Sequence, residues 1–277
     1  MKIINLAHQS KSEVNYEIFT FPDGEPHIKL GKFDRKEEYT IKCRICNPFD
    51  LFILMQVCDI LNRSEVYFKV EIYYLMSMRM DRVMSFNEAF SLKVVMSALN
   101  STGISSIEIL EPHSDKAHIL SKNICSTNLY PNTAYDDEVI KKKDDYTIIL
   151  PDKGAHERYI WLTQNNKNSY IVCNKVRDTS TGKLLSFEIV EDASKDSDKP
   201  MLVVDDLCDG GGTFAGIAKL LREKYPNRKL NIFVTHMVNS KGIQTLSENY
   251  DEVVFTNSYM DWQYTILPKN VKVINVI

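Results

Sequence analysis

The stretch that decides the fold is residues 201–213, with the sequence MLVVDDLCDGGGT. An apolar run is followed directly by two acids, Asp205 and Asp206, which predicts a buried strand that ends in carboxylates. Asp209 and three glycines then lead to Thr213, and apolar residues at helical spacing follow. The stretch therefore predicts a strand, a glycine turn and a helix in immediate succession.

The glycine turn has the composition of a phosphate-binding loop. Gly210, Gly211 and Gly212 let the backbone approach an anion, and the N–H groups and dipole of a helix N-terminus favour negative charge there. The Gly-Lys-Ser/Thr ending of a Walker A loop is absent. Because carboxylates accept hydrogen bonds from vicinal hydroxyls, the two preceding acids favour a phosphorylated polyol as ligand. A plain tight turn is the alternative interpretation.

Short apolar strands alternate with amphipathic helices along the rest of the chain. The other predicted strands are residues 3–6, 66–75, 107–110, 147–150, 169–173 and 230–234. Near-continuous apolar strands separated by helices are typical of parallel sheets covered on both faces. We therefore predict an α/β fold with two doubly wound parallel-sheet domains, which suits a chain of 277 residues.

Two polar segments interrupt this alternation. Residues 132–145 predict the connection between the domains, with an N-terminal domain at 1–135 and a C-terminal domain at 136–277. Residues 176–199 predict a long loop between two strands, and loops of that length inside a compact domain are commonly mobile and functional.

Composition excludes several classes of protein. Hydrophobic residues make up 44% and charged residues 26% of the chain, and the formal net charge is −3. No basic surface for nucleic acid is indicated, and no apolar stretch approaches the roughly 20 residues that span a bilayer. The first residues lack the apolar core of a signal peptide. We therefore expect a cytoplasmic protein that binds neither nucleic acid nor membrane.

Cysteine spacing gives little support for a metal centre. Cys43 and Cys46 form a CxxC pair among six cysteines, and no second pair follows to complete a zinc site. We expect free thiols, with a metal or redox role for this pair as the alternative.

Several segments resemble the ribose-phosphate pyrophosphokinase family, in order along nearly the whole chain. They are FPDGE at 21–25, MRMDR at 78–82, HSD at 113–115, LPDKGA at 150–155, Lys175 with Arg177, the loop at 205–213 and TNS at 256–258. Type I phosphoribosyltransferases share the loop at 205–213 but lack the N-terminal segments, those at 21–25, 78–82 and 113–115. The chain is therefore identified as a divergent member of the pyrophosphokinases, with the type I phosphoribosyltransferase-like fold in each domain.

The resemblance implies transfer of the β,γ-diphosphate of ATP to the C1 hydroxyl of a 5-phosphorylated ribose, with Mg²⁺, releasing AMP. The residues implied for ATP are Phe21, Asp23, Glu25, Arg79, Asp81, Gly154 and Ala155. Those implied for the ribose phosphate are Asp205, Asp206, Asp209, Gly210, Gly211, Gly212 and Thr213. Lys175 and Arg177 are implied as catalytic, and His113 and Asp152 as the residues that organise magnesium. In the family the segment around Phe21 serves a neighbouring subunit, so a homodimer or hexamer is implied.

The chain departs from the family pattern at positions that bear on regulation and substrate. Met80 replaces a glutamine, Lys153 and Ala155 alter the diphosphate loop, and Gly210 replaces a threonine of the phosphate loop. We expect regulation by phosphate and ADP to be weak or absent. Ribose 5-phosphate is the acceptor expected from the family and phosphoribosyl pyrophosphate the product. ADP-ribose is the alternative acceptor, since Gly210 opens the loop, and its product would serve NAD synthesis from nicotinamide.

The sequence leaves two further interpretations of the function open. A phosphoribosyltransferase that consumes phosphoribosyl pyrophosphate would need a base-recognition hood and no ATP. A catalytically inactive regulatory homologue would be expected to lose Lys175, Arg177 or the acids, all of which are present.

Overall fold

The computed structural model of the protein describes residues 1–126, 143–163, 169–177, 184–194 and 198–277. The chain divides into two compact units, residues 1–131 with Ile277 and residues 132–276. The predicted boundary between residues 135 and 136 and most of the predicted linker lie outside the described residues. The end of that linker, Lys143–Asp145, forms a short 3-10 turn.

The first unit is built on a parallel sheet. Its elements are β1 (Lys2–Asn5), β2 (Tyr16–Thr20), β3 (Pro26–Leu30), β4 (Tyr39–Ile45), α1 (Pro48–Arg63), β5 (Phe68–Leu75), α2 (Ser91–Asn100), β6 (Ser106–Ile109), α3 (Lys116–Leu120) and β7 (Ile124–Ser126). The sheet has the order β1-β4-β5-β6-β7, and each neighbouring pair is parallel. The strands β2 and β3 form a separate antiparallel hairpin.

Helix α1 shows how local sequence starts an element and how the sheet is then covered. The Asn47 side chain accepts a hydrogen bond from the Asp50 N–H at 3.1 Å, and the Asp50 carboxylate accepts from the Asn47 N–H at 3.2 Å. This capping box satisfies backbone donors that the first helical turn leaves without partners. The helix then buries Leu54 and Leu61 in one apolar core with Ile41 of β4.

The second unit is built on a larger, mostly parallel sheet. Its elements are β8 (Thr147–Leu150), α4 (Lys153–Tyr159), β9 (Tyr170–Arg177), β10 (Leu184–Asp192), β11 (Met201–Cys208), α5 (Gly212–Lys224), β12 (Leu230–Met237), α6 (Ser240–Asn249), β13 (Glu252–Thr256) and β14 (Val271–Ile274). The sheet has the order β10-β9-β8-β11-β12-β13-β14. Every neighbouring pair is parallel except β10 with β9. The predicted α/β class with parallel sheets is confirmed.

Two sequence-based expectations about the second unit were wrong. The strand predicted to end in the two acids continues past them to Cys208, because Asp206 and Cys208 stay buried as alternate residues of the strand. Much of the predicted loop at 176–199 is the antiparallel edge strand β10. Phe187 and Ile189 of β10 face the core while Ser186 and Glu188 are exposed, a period of two that marks a half-buried strand.

The cysteine thiols are free, as predicted, at every position whose side chain the structure describes: Cys43, Cys46, Cys58, Cys173 and Cys208. Burial raises the pKa of the Cys46 thiol to about 12 and that of Cys43 well above its usual range. No cluster of three or more His, Cys, Asp or Glu side chains suited to a metal ion occurs among the described residues. Within the same part of the chain, no helix is long and apolar enough to cross a bilayer.

Candidate active site

The glycine loop lies between β11 and α5, as the sequence predicts. Gly211 is the N-cap of α5 and has a φ of +79°, a left-handed conformation that favours glycine. A Cβ on Gly211 would also lie 2.8 Å from the Cβ of Thr245 on α6. No side chain caps the first turn of α5, so the N–H donors and positive dipole end of this helix remain suited to an anion.

Side chains of the following helix hold the loop in place. The Thr245 hydroxyl donates to the carbonyl oxygen of Gly210 at 3.1 Å. The Asn239 amide, which precedes α6, donates to the Asp209 carboxylate at 3.2 Å. The loop backbone is therefore fixed from one side before any ligand binds, which lowers the entropic cost of binding.

The two acids of β11 have different surroundings. Asp206 is 2% exposed, and its Oδ1 lies 2.5 Å from Nη1 of Arg158 on α4. Asp205 is partly exposed, and its Oδ1 accepts a hydrogen bond from the Asp206 N–H at 2.9 Å. Burial raises the pKa of Asp205 well above its usual range, and the negative charges of Asp206 and Asp152 add to the effect. A cation beside Asp205, or a ligand hydroxyl that donates a hydrogen bond to its carboxylate, would favour the ionised form.

An ion pair joins β9 to the turn after β8. The Lys175 ammonium lies 2.7 Å from Oδ2 of Asp152, and each side chain is about one quarter exposed. The other oxygen of Asp152 accepts from the Ala155 N–H at 3.0 Å and so caps α4. Burial opposes ionisation of Asp152, but the hydrogen bond and charge of Lys175 outweigh it and lower the pKa of this carboxyl.

Strand order brings these groups of the second unit together. The strands β9, β8 and β11 are neighbours in the sheet, and β11 leads into the glycine loop. Lys175, Asp152 and Asp205 therefore lie toward the carboxyl ends of three adjacent strands, the edge where parallel α/β sheets bind ligands. Gly154 and Ala155 follow Asp152 in the same turn and first helical residues. The Arg177 side chain lies outside the described residues.

The first unit carries the segment around Asp81. Arg82 Nε donates to Asp81 Oδ1 at 2.8 Å, Nη2 of the same residue donates to Oδ2 at 3.2 Å, and the Lys116 ammonium lies 3.7 Å from Oδ2. The hydrogen bond from Arg82 lowers the pKa of Asp81 to about 2. The Asp81 carboxylate therefore contacts the basic side chains of Arg82 and Lys116. Arg79, two residues before Asp81 in the chain, is exposed.

The remaining predicted residues of the first unit lie on loops. His113 is partly exposed in the segment between β6 and α3. Phe21, Asp23 and Glu25 are exposed in the turn that joins β2 to β3, where the Phe21 N–H donates to the Glu25 carbonyl at 2.8 Å. The Phe21 ring packs edge-on against Phe19, with the ring centroids 5.1 Å apart. These exposed rings offer an aromatic surface at the end of the hairpin.

Sequence reasoning missed Arg158 and Lys116. Arg158 contacts an acid from a distant part of the chain, and no local pattern signals that contact. Lys116 is the third residue after His113, and its ammonium also donates to the Asp81 carbonyl at 3.0 Å. Its proximity to a predicted site segment was the one available signal.

Comparison with known proteins identifies relatives over most of the chain. No family model matches. The ribose-phosphate pyrophosphokinase of Thermococcus kodakarensis is 30% identical over 251 residues, which cover 87% of this chain and 85% of that protein. The enzyme of the same name from Pyrococcus abyssi is 29% identical over 251 residues, covering 88% and 84%. That from Sulfurisphaera tokodaii is 26% identical over 246 residues, covering 86% and 82%.

A solved structure shares the fold. The phosphoribosylpyrophosphate synthetase from Mycobacterium smegmatis aligns with a TM-score of 0.79, covering 100% of this chain and 95% of that chain at 19% identity. The fold predicted from the sequence is thereby confirmed. Together with a relative 30% identical over most of both chains, these findings show that the protein belongs to the ribose-phosphate pyrophosphokinase family of transferases.

Proposed function

We propose that the protein transfers the β,γ-diphosphate of ATP to the C1 hydroxyl of a 5-phosphorylated ribose and releases AMP. The observation that carries this proposal is the pairing of Asp205 and Asp206 with the uncapped glycine loop at the start of α5. Vicinal hydroxyls need acceptors and a phosphate needs N–H donors, and the two features supply both in one continuous segment.

The acids of β11 divide the task of holding the ribose. Asp205 is the partly exposed member and would accept hydrogen bonds from the ribose hydroxyls. Asp206 is neutralised by Arg158 and supports Asp205 through its backbone N–H. Asp209, Gly210, Gly211, Gly212 and Thr213 would surround the 5-phosphate.

Lys175 and Arg177 would neutralise the diphosphate as it moves. The C1 hydroxyl oxygen attacks the β-phosphorus and its proton passes to water, while the bond from that phosphorus to the oxygen bridging the α-phosphate breaks and AMP leaves. Such a transfer needs in-line positioning and charge stabilisation more than covalent help. The Asp152 carboxylate lies 2.7 Å from the Lys175 ammonium and holds it in place. This cation is therefore positioned before the substrate binds.

The donor groups present fit magnesium as the cofactor. Mg²⁺ in phosphoryl-transfer sites is bound by one or two carboxylates, with substrate phosphates and water completing its shell. Asp152 provides a carboxylate of low pKa, which stays ionised at neutral pH. We propose Asp152 and His113 as the residues that would hold the ion or its water shell. When bound, the ion would neutralise phosphate charge.

The hairpin of the first unit would serve the ATP base. Phe21 is 45% exposed and lies beside Phe19 and His27, so a flat adenine ring would find an aromatic face there. Asp23 and Glu25 would accept from the adenine amino group, and Arg79 would bind ATP phosphates. Asp81 would act by holding Arg82 and Lys116. A homodimer or hexamer and a cytoplasmic location stay predictions.

Gly210 favours a second acceptor, ADP-ribose. A Cβ at Gly210 would meet no atom within 4 Å, so the missing side chain leaves open space beside the loop. A 5-phosphate that continues into a second phosphate and adenosine would use this space. The product would be an activated ADP-ribose able to capture nicotinamide, a route to NAD.

The decisive experiment incubates purified protein with ATP, magnesium and either ribose 5-phosphate or ADP-ribose, and measures AMP release. Release with either acceptor supports the diphosphokinase, and the ratio of kcat/KM values identifies the acceptor. The variant Gly210→Thr should lower turnover of ADP-ribose more than that of ribose 5-phosphate if open space admits the larger substituent. ATP binding without AMP release would instead indicate an inactive homologue. Activity that needs phosphoribosyl pyrophosphate and no ATP would indicate a phosphoribosyltransferase.

A further inference from the structure

Phe187 of β10 lies directly opposite Lys175 of β9 in the antiparallel pair. Side chains of opposed residues project from the same face of a sheet and are direct neighbours there. Lys175 is the residue for which the proposed function predicts contact with the transferred diphosphate. Phe187 is therefore the cross-strand neighbour of a candidate catalytic group, although none of the segments that resemble the family includes it.

The Phe187 ring fits a notch in helix α5 that exists only because residue 216 is glycine. A Cβ on Gly216 would lie 2.1 Å from Cε2 and 2.6 Å from Cδ2 of the ring, well inside van der Waals contact. Gly216 lies one helical turn after Gly212, the first residue of α5. The ring thus joins the strand pair that carries Lys175 to the helix that begins at the glycine loop.

Other contacts attach β10 to α5 farther from the lysine. The Tyr225 hydroxyl and the Lys224 ammonium, at the end of α5, both bind the Asp192 carboxylate at the end of β10, the latter at 3.0 Å. Ile189 packs against the same core between the two attachments. Of these contacts between β10 and α5, that of Phe187 is the closest to Lys175 in the register of the strands.

We propose that Phe187, seated against Gly216, is a positioning residue that fixes Lys175 relative to the glycine loop. This inference rests on the proposed function of Lys175. The ring does not touch substrate. It sets the distance between β10 and α5 and, through the pairing of β10 with β9, the place of the ammonium beside the phosphate loop.

The first test is Gly216→Ala. The added methyl group displaces the ring, so kcat for AMP release should fall roughly 10- to 100-fold with little change in KM for the acceptor. Affinity for Mg²⁺-pyrophosphate, measured by calorimetry, should fall roughly tenfold, because the displaced ammonium no longer binds the phosphate oxygens well. Pyrophosphate binding tests the position of the ammonium without requiring turnover. Combining Gly216→Ala with Phe187→Leu should restore part of both values, since the smaller side chain makes room for the methyl group.

The second test separates positioning from general damage. In a Lys175→Ala background, Gly216→Ala should weaken pyrophosphate binding no further, because the group that it displaces is already gone. Ile189→Ala is the matched control, since it truncates a side chain of the same strand and core but pairs with Cys173. It should lower stability while leaving pyrophosphate affinity near the wild-type value. If Gly216→Ala does not fold, Phe187→Ala carries the same comparison alone.

The outcomes are distinct. The inference would be overturned if Gly216→Ala and Phe187→Ala left the affinity for pyrophosphate unchanged. It would also be overturned if Gly216→Ala weakened binding further in the Lys175→Ala background, or if Ile189→Ala weakened binding as much as Gly216→Ala. A wild-type protein that binds no pyrophosphate would overturn it as well. A wild-type protein that binds pyrophosphate with the expected coupling but releases no AMP with either acceptor would refute the proposed function alone.

Discussion

Arg158 holds the buried carboxylate of Asp206 with an Nη1–Oδ1 distance of 2.5 Å, and the two side chains are 23% and 3% exposed. Removal of one partner from a buried ion pair leaves an uncompensated charge. We therefore expect Arg158→Ala to lower the free energy of unfolding by about 3 kcal/mol, measured by urea denaturation. Adding Asp206→Asn to that variant should recover part of the loss, because the unpaired charge is removed.

An exposed pair provides the control for this prediction. Arg63 and Asp59 on α1 form an ion pair whose side chains are 67% and 61% exposed. Arg63→Ala should cost less than about 1 kcal/mol. Equal effects of Arg63→Ala and Arg158→Ala would contradict the role given to burial.

Asp81 should make stability depend on pH in the acid range. Arg82 lowers its pKa from 3.8 to about 2, so the ionised carboxylate stabilises the folded state above the higher value. That stabilisation is lost as the pH falls from about 3.8 to about 2. Because solvent screens the exposed Arg82, Asp81→Asn should lower the free energy of unfolding by only about 1 kcal/mol at pH 7.

The same variant should approach wild type below pH 2, where the carboxyl of Asp81 is protonated in the folded state as well. Urea unfolding at several pH values measures the difference. A gap between wild type and Asp81→Asn that stays constant from pH 7 to pH 2 would show that the charge of Asp81 is not its source.

Lys175→Ala should reduce kcat for AMP release at least about 100-fold, because a positioned cation at a phosphoryl-transfer site stabilises charge that water screens poorly there. The melting temperature should also fall, because the Asp152 carboxylate loses its ammonium partner and keeps only the hydrogen bond from the Ala155 N–H. Lys219→Ala, an exposed lysine of α5, is the charge-matched control and should keep wild-type turnover.

Gly211→Ala and Gly210→Ala should have different effects on stability, because the backbone conformation requires glycine at position 211 but not at position 210. Gly211 has a φ of +79° and faces Thr245, whereas a Cβ at Gly210 meets nothing within 4 Å. Gly211→Ala should cost about 1–3 kcal/mol of unfolding free energy, and Gly210→Ala less than about 0.5 kcal/mol. Chemical denaturation of both variants checks the difference, and equal costs would contradict the loop geometry.

Continuous runs of apolar residues predicted the parallel strands at the centre of each sheet, but no such run predicted β4. Its sequence alternates apolar residues with Thr40, Lys42 and Arg44. Lys42 is tolerated within the sheet because Glu71 of the neighbouring strand lies 3.5 Å away. A single strand's sequence does not show which strand supplies the opposite charge, so the pattern alone gave no prediction there.

The site could be predicted as far as contiguous motifs reach. The glycine loop, Asp152 and Lys175 each lie in a segment whose residue types suggest anion chemistry, and the structure brings them to adjacent strands. Arg158 and Phe187 act through neighbours that are distant in the chain. Their contacts depend on strand order and on the antiparallel edge strand, and neither is encoded in local sequence.

Burial protects the described thiols, so a Cys125→Ser variant of the protein would be convenient for site-specific probes. Thiolates are the species that react with maleimides, and a thiol with a pKa near 12 is almost wholly protonated at neutral pH. Cys46, Cys58, Cys173 and Cys208 all have such values because they are buried. A cysteine introduced at exposed Glu252, at the amino end of β13, would outcompete them for a fluorophore on the edge of the sheet away from the glycine loop.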